Sequence, residues 1–349
     1  MLTAGTILWE FSKNLASSNG FILLLTCILS ILLVLFLIFI IIFLLYRGFF
    51  HYFKLKYKPR DFILNKTPYI LGHRGIPVLQ HENSIESFKL LSTYDIDGTE
   101  LDANVSADGK LFVYHDYSLF RFFDIPKNIR KVSSQTIESL KISLFFENNS
   151  LTPASIKINQ DKKNEEKDFM TEESLDKGNI DKIVKLSETT IPTLEAAFEV
   201  LKDRRFINLE IKSNSLFSIG LEQKVAHLIK QYKLENKIVV SSFDPFCLYR
   251  FSKILPLIPR GLLVSKKGLP IYLKKMWFYP FAKADFIHWE ADFIGTKKVK
   301  KFAEHGYKPV FWGVNSVQLL KRALKDKPVI IISDIPHILK KALPFFIGV

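Results

Sequence analysis

The residues able to do chemistry in this 349-residue chain cluster where apolar runs stop. His73 and Arg74 follow Tyr69-Ile70-Leu71-Gly72, Glu100-Leu101-Asp102 closes a second run, and His115-Asp116 ends a third that an Asp108-Gly109 turn sends back. Far downstream, Glu210-Ile211-Lys212 closes Phe206-Ile207-Asn208-Leu209. Residues i and i+2 of a strand share a face, so Glu100 and Asp102 aim at one point, as do Glu210 and Lys212. Paired carboxylates repel one another unless a cation lies between them, and a hard divalent ion with oxygen ligands is the natural neutraliser. Glu210 can complete a three-carboxylate cage, while Lys212 can face a phosphate beside it. An isolated acid pair reads more readily as a solvated loop; the second charged pair, Glu210 and Lys212, at a distant strand end points to a site.

The elements that must position these residues are strands alternating with helices. Apolar, β-branched runs predict strands over 68–71, 98–104, 205–211, 237–242, 261–264, 285–288, 309–314 and 329–333. Helical patterns cover 85–94, 194–202, 221–232, 296–305 and 317–324, with Ser84 and Thr193 as N-caps of the first two. The stretch 103–110 is too short for the crossover that parallel neighbours need, and Asp108-Gly109 is a hairpin turn, so 111–115 is read as a return strand outside the main sheet. Eight strands remain, as a (β/α)₈ TIM barrel over 67–340 requires. In that fold the strand ends form the mouth of the barrel, where loops assemble sites on a rigid sheet. Residues 148–181 are polar and charged and cannot bury enough apolar surface to order themselves, so they read as a mobile insertion.

A span precedes the barrel. Residues 1–20 form a mildly polar N-terminal segment, and 21–46 carry no charge and are almost all Ile, Leu, Val and Phe. At 1.5 Å per residue this run reaches roughly 39 Å, more than the ~30 Å hydrocarbon layer. A cleaved signal peptide would show a basic start, a shorter apolar core and a small-residue cleavage site, and all three are missing. Arg47, Lys54, Lys56, Lys58 and Arg60 crowd the following segment, 47–66, whereas only Lys13 precedes the span. By the positive-inside rule the barrel is expected in the cytoplasm, with the basic, aromatic linker against anionic headgroups. Cys27 lies inside the span and Cys247 in the barrel, which predicts two free thiols.

At this level of detail the chain resembles the glycerophosphodiester phosphodiesterase family. The matching pieces are His73-Arg74-Gly75, Glu82-Asn83-Ser84 with Phe88, Glu100-x-Asp102, Asp108-Gly109, His115-Asp116, Ile191-Pro192-Thr193-Leu194-Glu195, Glu210-Ile211-Lys212, Ser242-Phe243-Asp244, Trp312-Gly313-Val314-Asn315 and Ser333-Asp334-x-Pro336. His81, Gly313 and Ser333 depart from the common pattern, and none of these removes a charge. The resemblance implies that His73 and His115 form the acid and base pair, that Glu100, Asp102 and Glu210 hold one divalent ion, Ca²⁺ or Mg²⁺, and that Arg74 and Lys212 bind phosphate oxygens. Glu82 and Asn83 then either orient the first histidine or contact substrate, with helix capping as the alternative. Trp312 and Asn315, at the end of the seventh strand, are placed to line the glycerol end, with an ordinary buried tryptophan as the alternative. The implied reaction hydrolyses a glycerophosphodiester to glycerol 3-phosphate and an alcohol. A lysophospholipase D acting on lysophospholipid, and a catalytically silent barrel that binds lipid headgroups, are the alternatives.

The formal net charge of +14 invites a nucleic-acid reading, but the juxtamembrane lysines explain much of it and no nucleic acid is expected. Lysines and aromatics also interleave over 266–286. That pattern suits base stacking, an interfacial helix or a helix packed on the barrel, and the last is the expectation.

Overall fold

The computed structural model describes residues 18–56, 58–60, 68–142, 189–203, 206–213, 217 and 219–347. The polar segment 148–181 lies outside the described residues. Contacts divide the chain into two units, Met1–Tyr57 and Lys58–Val349.

The described residues of the first unit form one helix, Ser18–Lys56, which continues through the first half of the basic segment. Within it Gly20–Phe49 is long and apolar enough to cross a membrane.

The second unit is a barrel. Strands β1 (Tyr69–His73), β2 (Gly98–Val105), β6 (Phe206–Ile211), β7 (Ile238–Ser242), β8 (Arg260–Val264), β9 (Phe286–Glu290), β10 (Lys308–Trp312) and β11 (Ile330–Ser333) pair in parallel, each with the next, and β11 closes on β1. This is the expected TIM barrel. Alternation along each strand sorts side chains between two layers. Tyr69, Leu71, Val239, Phe286, Val310, Ile330 and Ile332 pack together inside the barrel. Their neighbours Ile70, Ile207, Ile238, Ile287, Phe311 and Ile331 join the larger layer under the helices.

The helices start where the caps stand. Ser84 accepts a hydrogen bond from the Ser87 amide and starts Ile85–Thr93; Thr193 does the same from Ala196 for Leu194–Leu201. Pro245–Ile254, capped by Asp244, and Pro336–Ala342 begin with proline at the first turn and are additional to the helices expected from the sequence. The 266–286 stretch is not one helix but a short turn, Ile271–Lys274, and a 3₁₀ turn, Tyr279–Ala282. Met276, Phe281 and Ala282 are buried there. Cys27 and Cys247 are both free thiols.

The hairpin return β3 (Leu111–Val113) pairs antiparallel with β2, Ala103 opposite Val113, and it stands outside the barrel closure, as does the short antiparallel pair β4 (Lys141–Ile142) and β5 (Thr189–Thr190). Phe112, Tyr114, Leu119, Ile129, Ile137, Ile142 and Ile191 form a separate small core beneath it. This subsidiary core fixes the chain on either side of His115.

Candidate active site

Glu100, Asp102 and Glu210 meet at the carboxyl ends of adjacent strands. Register sets Asp102 beside Glu210 and His73 beside Glu100. All three acids are buried, and one oxygen from each lies within 4.8 Å of the others. The cations of the chain fold inward on them. Lys212 Nζ is 2.8 Å from Asp102 Oδ1 and 2.6 Å from Glu210 Oε1, and Arg74 Nε is 3.1 Å from Asp102 Oδ2.

The turn that delivers Arg74 is tight. A Cβ on Gly72 would come within 2.0 Å of the Gly75 carbonyl oxygen, and both Arg74 and Asn83 adopt left-handed backbone, φ 60° and 57°. The Arg74 amide donates to the Glu100 carbonyl at 3.0 Å and to Glu100 Oε2 at 3.1 Å, and the Asn83 amide donates to the Arg74 carbonyl at 2.9 Å. These bonds hold the strained loop over the triad.

Each histidine is paired with a carboxylate through Nδ1. His73 Nδ1 is 2.6 Å from Asp334 Oδ1, and His115 Nδ1 is 2.5 Å from Asp116 Oδ1. An ionised carboxylate only accepts, so each Nδ1 carries the proton and each Nε2 is left toward the cleft. Asp334 is held by Asn315, whose Nδ2 donates to Oδ2 at 2.5 Å and whose Oδ1 accepts the Asp334 amide at 2.9 Å.

Glu82 lies between Arg74, at 2.9 Å, and Arg121, at 2.5 Å, while Asn83 Nδ2 donates to Asp102 Oδ2 at 2.8 Å. They therefore act on the first arginine and the triad; Ser84 does the capping. Trp312 donates from Nε1 to the His288 carbonyl at 3.1 Å and meets Phe243 edge to face, ring centroids 6.2 Å apart. His73, Arg74, Glu100, His115, Glu210 and Trp312 line a single cleft of about 440 Å³. Asn315, expected at the glycerol end, hydrogen-bonds to Asp334.

The electrostatics match a site built for a cation. Burial and the negative charge of Asp102 push the Glu100 carboxyl up to about 8. Burial also acts to raise Asp102, but Lys212 and Arg74 outweigh it and hold this carboxyl well below the usual range. Burial and Arg74 act to lower His73, yet Asp334 and Glu100 together leave it raised. For Asp116, hydrogen bonding from His115 and the Arg121 charge overcome burial and bring it to about 2. Asp102 Oδ1 receives no aligned hydrogen bond despite being buried. Three buried carboxylates within reach of one another, one of them driven toward its neutral form, are a set of hard oxygen donors that fits a divalent ion.

The sequence assigns no role to Asp116 or Asp334 and does not mark Arg121. The two aspartates stood inside matching motifs, so the signal was present. Arg121 sits in the aromatic run Phe120-Arg121-Phe122-Phe123, where nothing local marks it.

Such a mouth serves hydrolysis of an anionic ester, and the chain is a phosphoric diester hydrolase. Residues 73–338, well over half its length, match the Glycerophosphoryl diester phosphodiesterase family, and the chain belongs to that family. A glycerophosphodiester phosphodiesterase of Caldanaerobacter subterraneus subsp. tengcongensis is 26% identical over 276 residues, 77% of this chain and 95% of the relative. One from Bacillus altitudinis is 28% identical over 196 residues, 56% of this chain and 65% of the relative. The fold is shared with an Oleispira antarctica phosphodiesterase solved with the product sn-glycerol-3-phosphate, at TM-score 0.57 and 22% identity, covering 79% of this chain and 96% of that one.

Proposed function

We propose that the protein is a membrane-anchored, divalent-metal-dependent enzyme that hydrolyses glycerophosphodiesters to glycerol 3-phosphate and an alcohol. The observation that carries this reading is the convergence of two carboxylate-paired imidazoles and three buried acids on one cleft. Glu100, Asp102 and Glu210 would hold a Ca²⁺ or Mg²⁺ ion. Bound there, the ion supplies charge neutralisation and Lewis-acid polarisation of the phosphoryl group.

The chain's own groups do the rest. Arg74 and Lys212 turn from the triad carboxylates toward the phosphate oxygens, Arg74 through its planar fork. His73 and His115 present Nε2 to the two apical oxygens of the phosphorus. One, as the neutral Nδ1–H tautomer, accepts at Nε2 the proton of the attacking water or glycerol hydroxyl, and the other, as the imidazolium protonated on both nitrogens, donates from Nε2 to the leaving alkoxide. Asp334 and Asp116 keep each ring in the tautomer that leaves Nε2 available. Trp312 and Phe243 close one side of the cleft with apolar surface and exclude water from it. No charged or imidazole group of this set is lost, which argues against a silent headgroup-binding barrel.

The apolar helix would anchor the enzyme, with the barrel in the cytoplasm and the basic flank against anionic lipid. Purified full-length protein incubated with glycerophosphocholine should release glycerol 3-phosphate, lose this activity in EDTA, and regain it with added calcium or magnesium. Faster turnover of lysophosphatidylcholine would make it a lysophospholipase D instead. For topology, Lys58→Cys should resist a membrane-impermeant thiol reagent in intact cells; rapid labelling from outside would reverse the orientation.

A further inference from the structure

The two imidazoles are braced by different means. Asp334, behind His73, follows the end of β11 and is gripped by Asn315, just past β10, so this pair is fixed by barrel closure itself. His115 and Asp116 instead follow the external hairpin strand, and their side chains are 34% and 25% exposed. Neighbours in sequence can swing together, so a hydrogen bond between them does not by itself fix the ring against the barrel. The backbone there is tied down by Tyr114 N to Asp102 O, 3.0 Å, and Asn104 Nδ2 to Asp116 O, 3.1 Å. The side-chain pair needs a further brace.

Arg121 is placed to be that brace. Its Nε is 2.5 Å from Asp116 Oδ2, its Nη2 is 2.5 Å from Glu82 Oε1, and its Nη1 is 3.1 Å from Glu82 Oε2. Glu82 Oε1 also receives Arg74 Nη1 at 2.9 Å. A continuous chain of charge-assisted bonds therefore runs from His115 through Asp116, Arg121 and Glu82 to Arg74. The guanidinium is stacked 4.1 Å above the Phe122 ring, which meets His81 edge to face at 4.6 Å. Stacking and the fork restrict it to one orientation. His115 and Arg74 line the cleft, whereas Arg121 does not.

Building on the role given to His115 in the proposed function, we propose that Arg121 is a positioning residue that locks the His115–Asp116 pair to Glu82 and thereby sets the distance between the imidazole and the phosphate-binding Arg74. Its direct bonds go to protein carboxylates, and it acts on the reaction through His115.

The test uses the full-length protein with glycerophosphocholine. Arg121→Ala should lower kcat about 10–100-fold, as loss of a supporting contact does, with KM changed less than about threefold. Arg121→Lys, which keeps the charge and loses the fork, should recover part of the rate. In an Asp116→Asn background, Arg121→Ala should cost less than about threefold more, because the connection is already broken. A readout independent of turnover is the Nδ1 proton resonance of His115 in ¹⁵N-histidine-labelled protein, assigned by its loss in His115→Asn. It should shift or broaden in Arg121→Ala, and in Arg121→Lys if the alanine variant fails to fold. A raised KM at unchanged kcat, full additivity in the double variant, or an unmoved resonance would overturn the proposal. If the wild-type enzyme leaves glycerophosphocholine intact, the functional reading fails, while the resonance still decides whether Arg121 holds His115.

Discussion

The mouth and the interior of this barrel are built on opposite principles. At the mouth Glu100, Asp102, Glu210, Arg74 and Lys212 are all at least largely buried and lie within a few ångströms of one another. One layer down, Leu71, Phe286, Val310, Ile330 and Ile332 fill the interior with apolar surface. A single polar side chain breaks that interior pattern most sharply: His288 is fully buried, and neither ring nitrogen has a hydrogen-bond partner among the described residues. Gly261 on the neighbouring strand makes room for it, since a Cβ there would lie 2.1 Å from His288 Nε2. Buried charge at the mouth costs folding free energy and is kept for chemistry; apolar packing below supplies the stability that tolerates it. Activity and stability should therefore respond to different layers.

The largest effect is expected at the histidines. His73→Ala and His115→Ala should each lower kcat about 10²–10⁴-fold, the usual range for an acid or base, while thermal unfolding stays within a few degrees of wild type. Near-normal turnover in either variant means that its imidazole is not the acid or the base.

Next is Glu100→Gln, expected to lower kcat about 10²–10³-fold through weakened metal binding and loss of its charge stabilisation. Its carboxyl is already driven up to about 8 by burial and Asp102, so at pH 7 in the metal-free protein the amide replaces a group that is mostly neutral. In EDTA the variant should unfold at the same temperature as wild type or higher, and added calcium should stabilise wild type alone. An unfolded variant would show that the mouth is structural as well, and the contrast between layers would be lost.

The interior predicts the reverse pattern. Gly261→Ala drives a methyl group into the His288 ring and should destabilise by about 1–3 kcal/mol in urea titrations, with specific activity per folded molecule retained. A silent substitution would place the imidazole elsewhere.

The smallest effect is a pH dependence of stability. Burial lowers His288 from 6.5 to about 3, so between these values the unfolded chain takes up a proton that the folded one refuses. Stability must then fall as pH drops below 6.5, by at most about 1.4 kcal/mol per unit from this group. His337, lowered to about 4 by burial and Lys341, adds a slope of the same sign over its own interval. Comparing urea midpoints at neutral and mildly acidic pH, His288→Leu should lose less stability than wild type, by up to about 2 kcal/mol. Equal losses would mean that the imidazole is protonated or solvated in the folded barrel.

Much of this was legible in the residues. The strand runs are β-branched and buried on both faces, so each strand of the barrel announced itself locally; so did the hairpin, because an Asp-Gly turn on an eight-residue connection admits little else. Helices opened by proline, Pro245–Ile254 after the Asp244 cap and Pro336–Ala342 after Ile335, were less visible, since their apolar periodicity is short. In the site, Glu100 with Asp102 and Glu210 with Lys212 could be paired from strand period alone. Asn83 on Asp102, Glu82 between two arginines and Asn315 behind Asp334 could not, because polar side chains choose partners by distance across loops whose paths carry no periodicity.

The amino-acid order alone therefore determined the alternation of elements, the apolar N-terminal helix and the set of charged groups at strand ends, since each depends on neighbours a few residues away. Only the closed barrel decided which of those groups share a cleft, for it brings His73 and Asp334, 261 positions apart, to hydrogen-bonding distance. Parallel register accomplishes this: once β11 joins β1, every strand end lies on one rim, and burial there makes the charges answer to one another rather than to water.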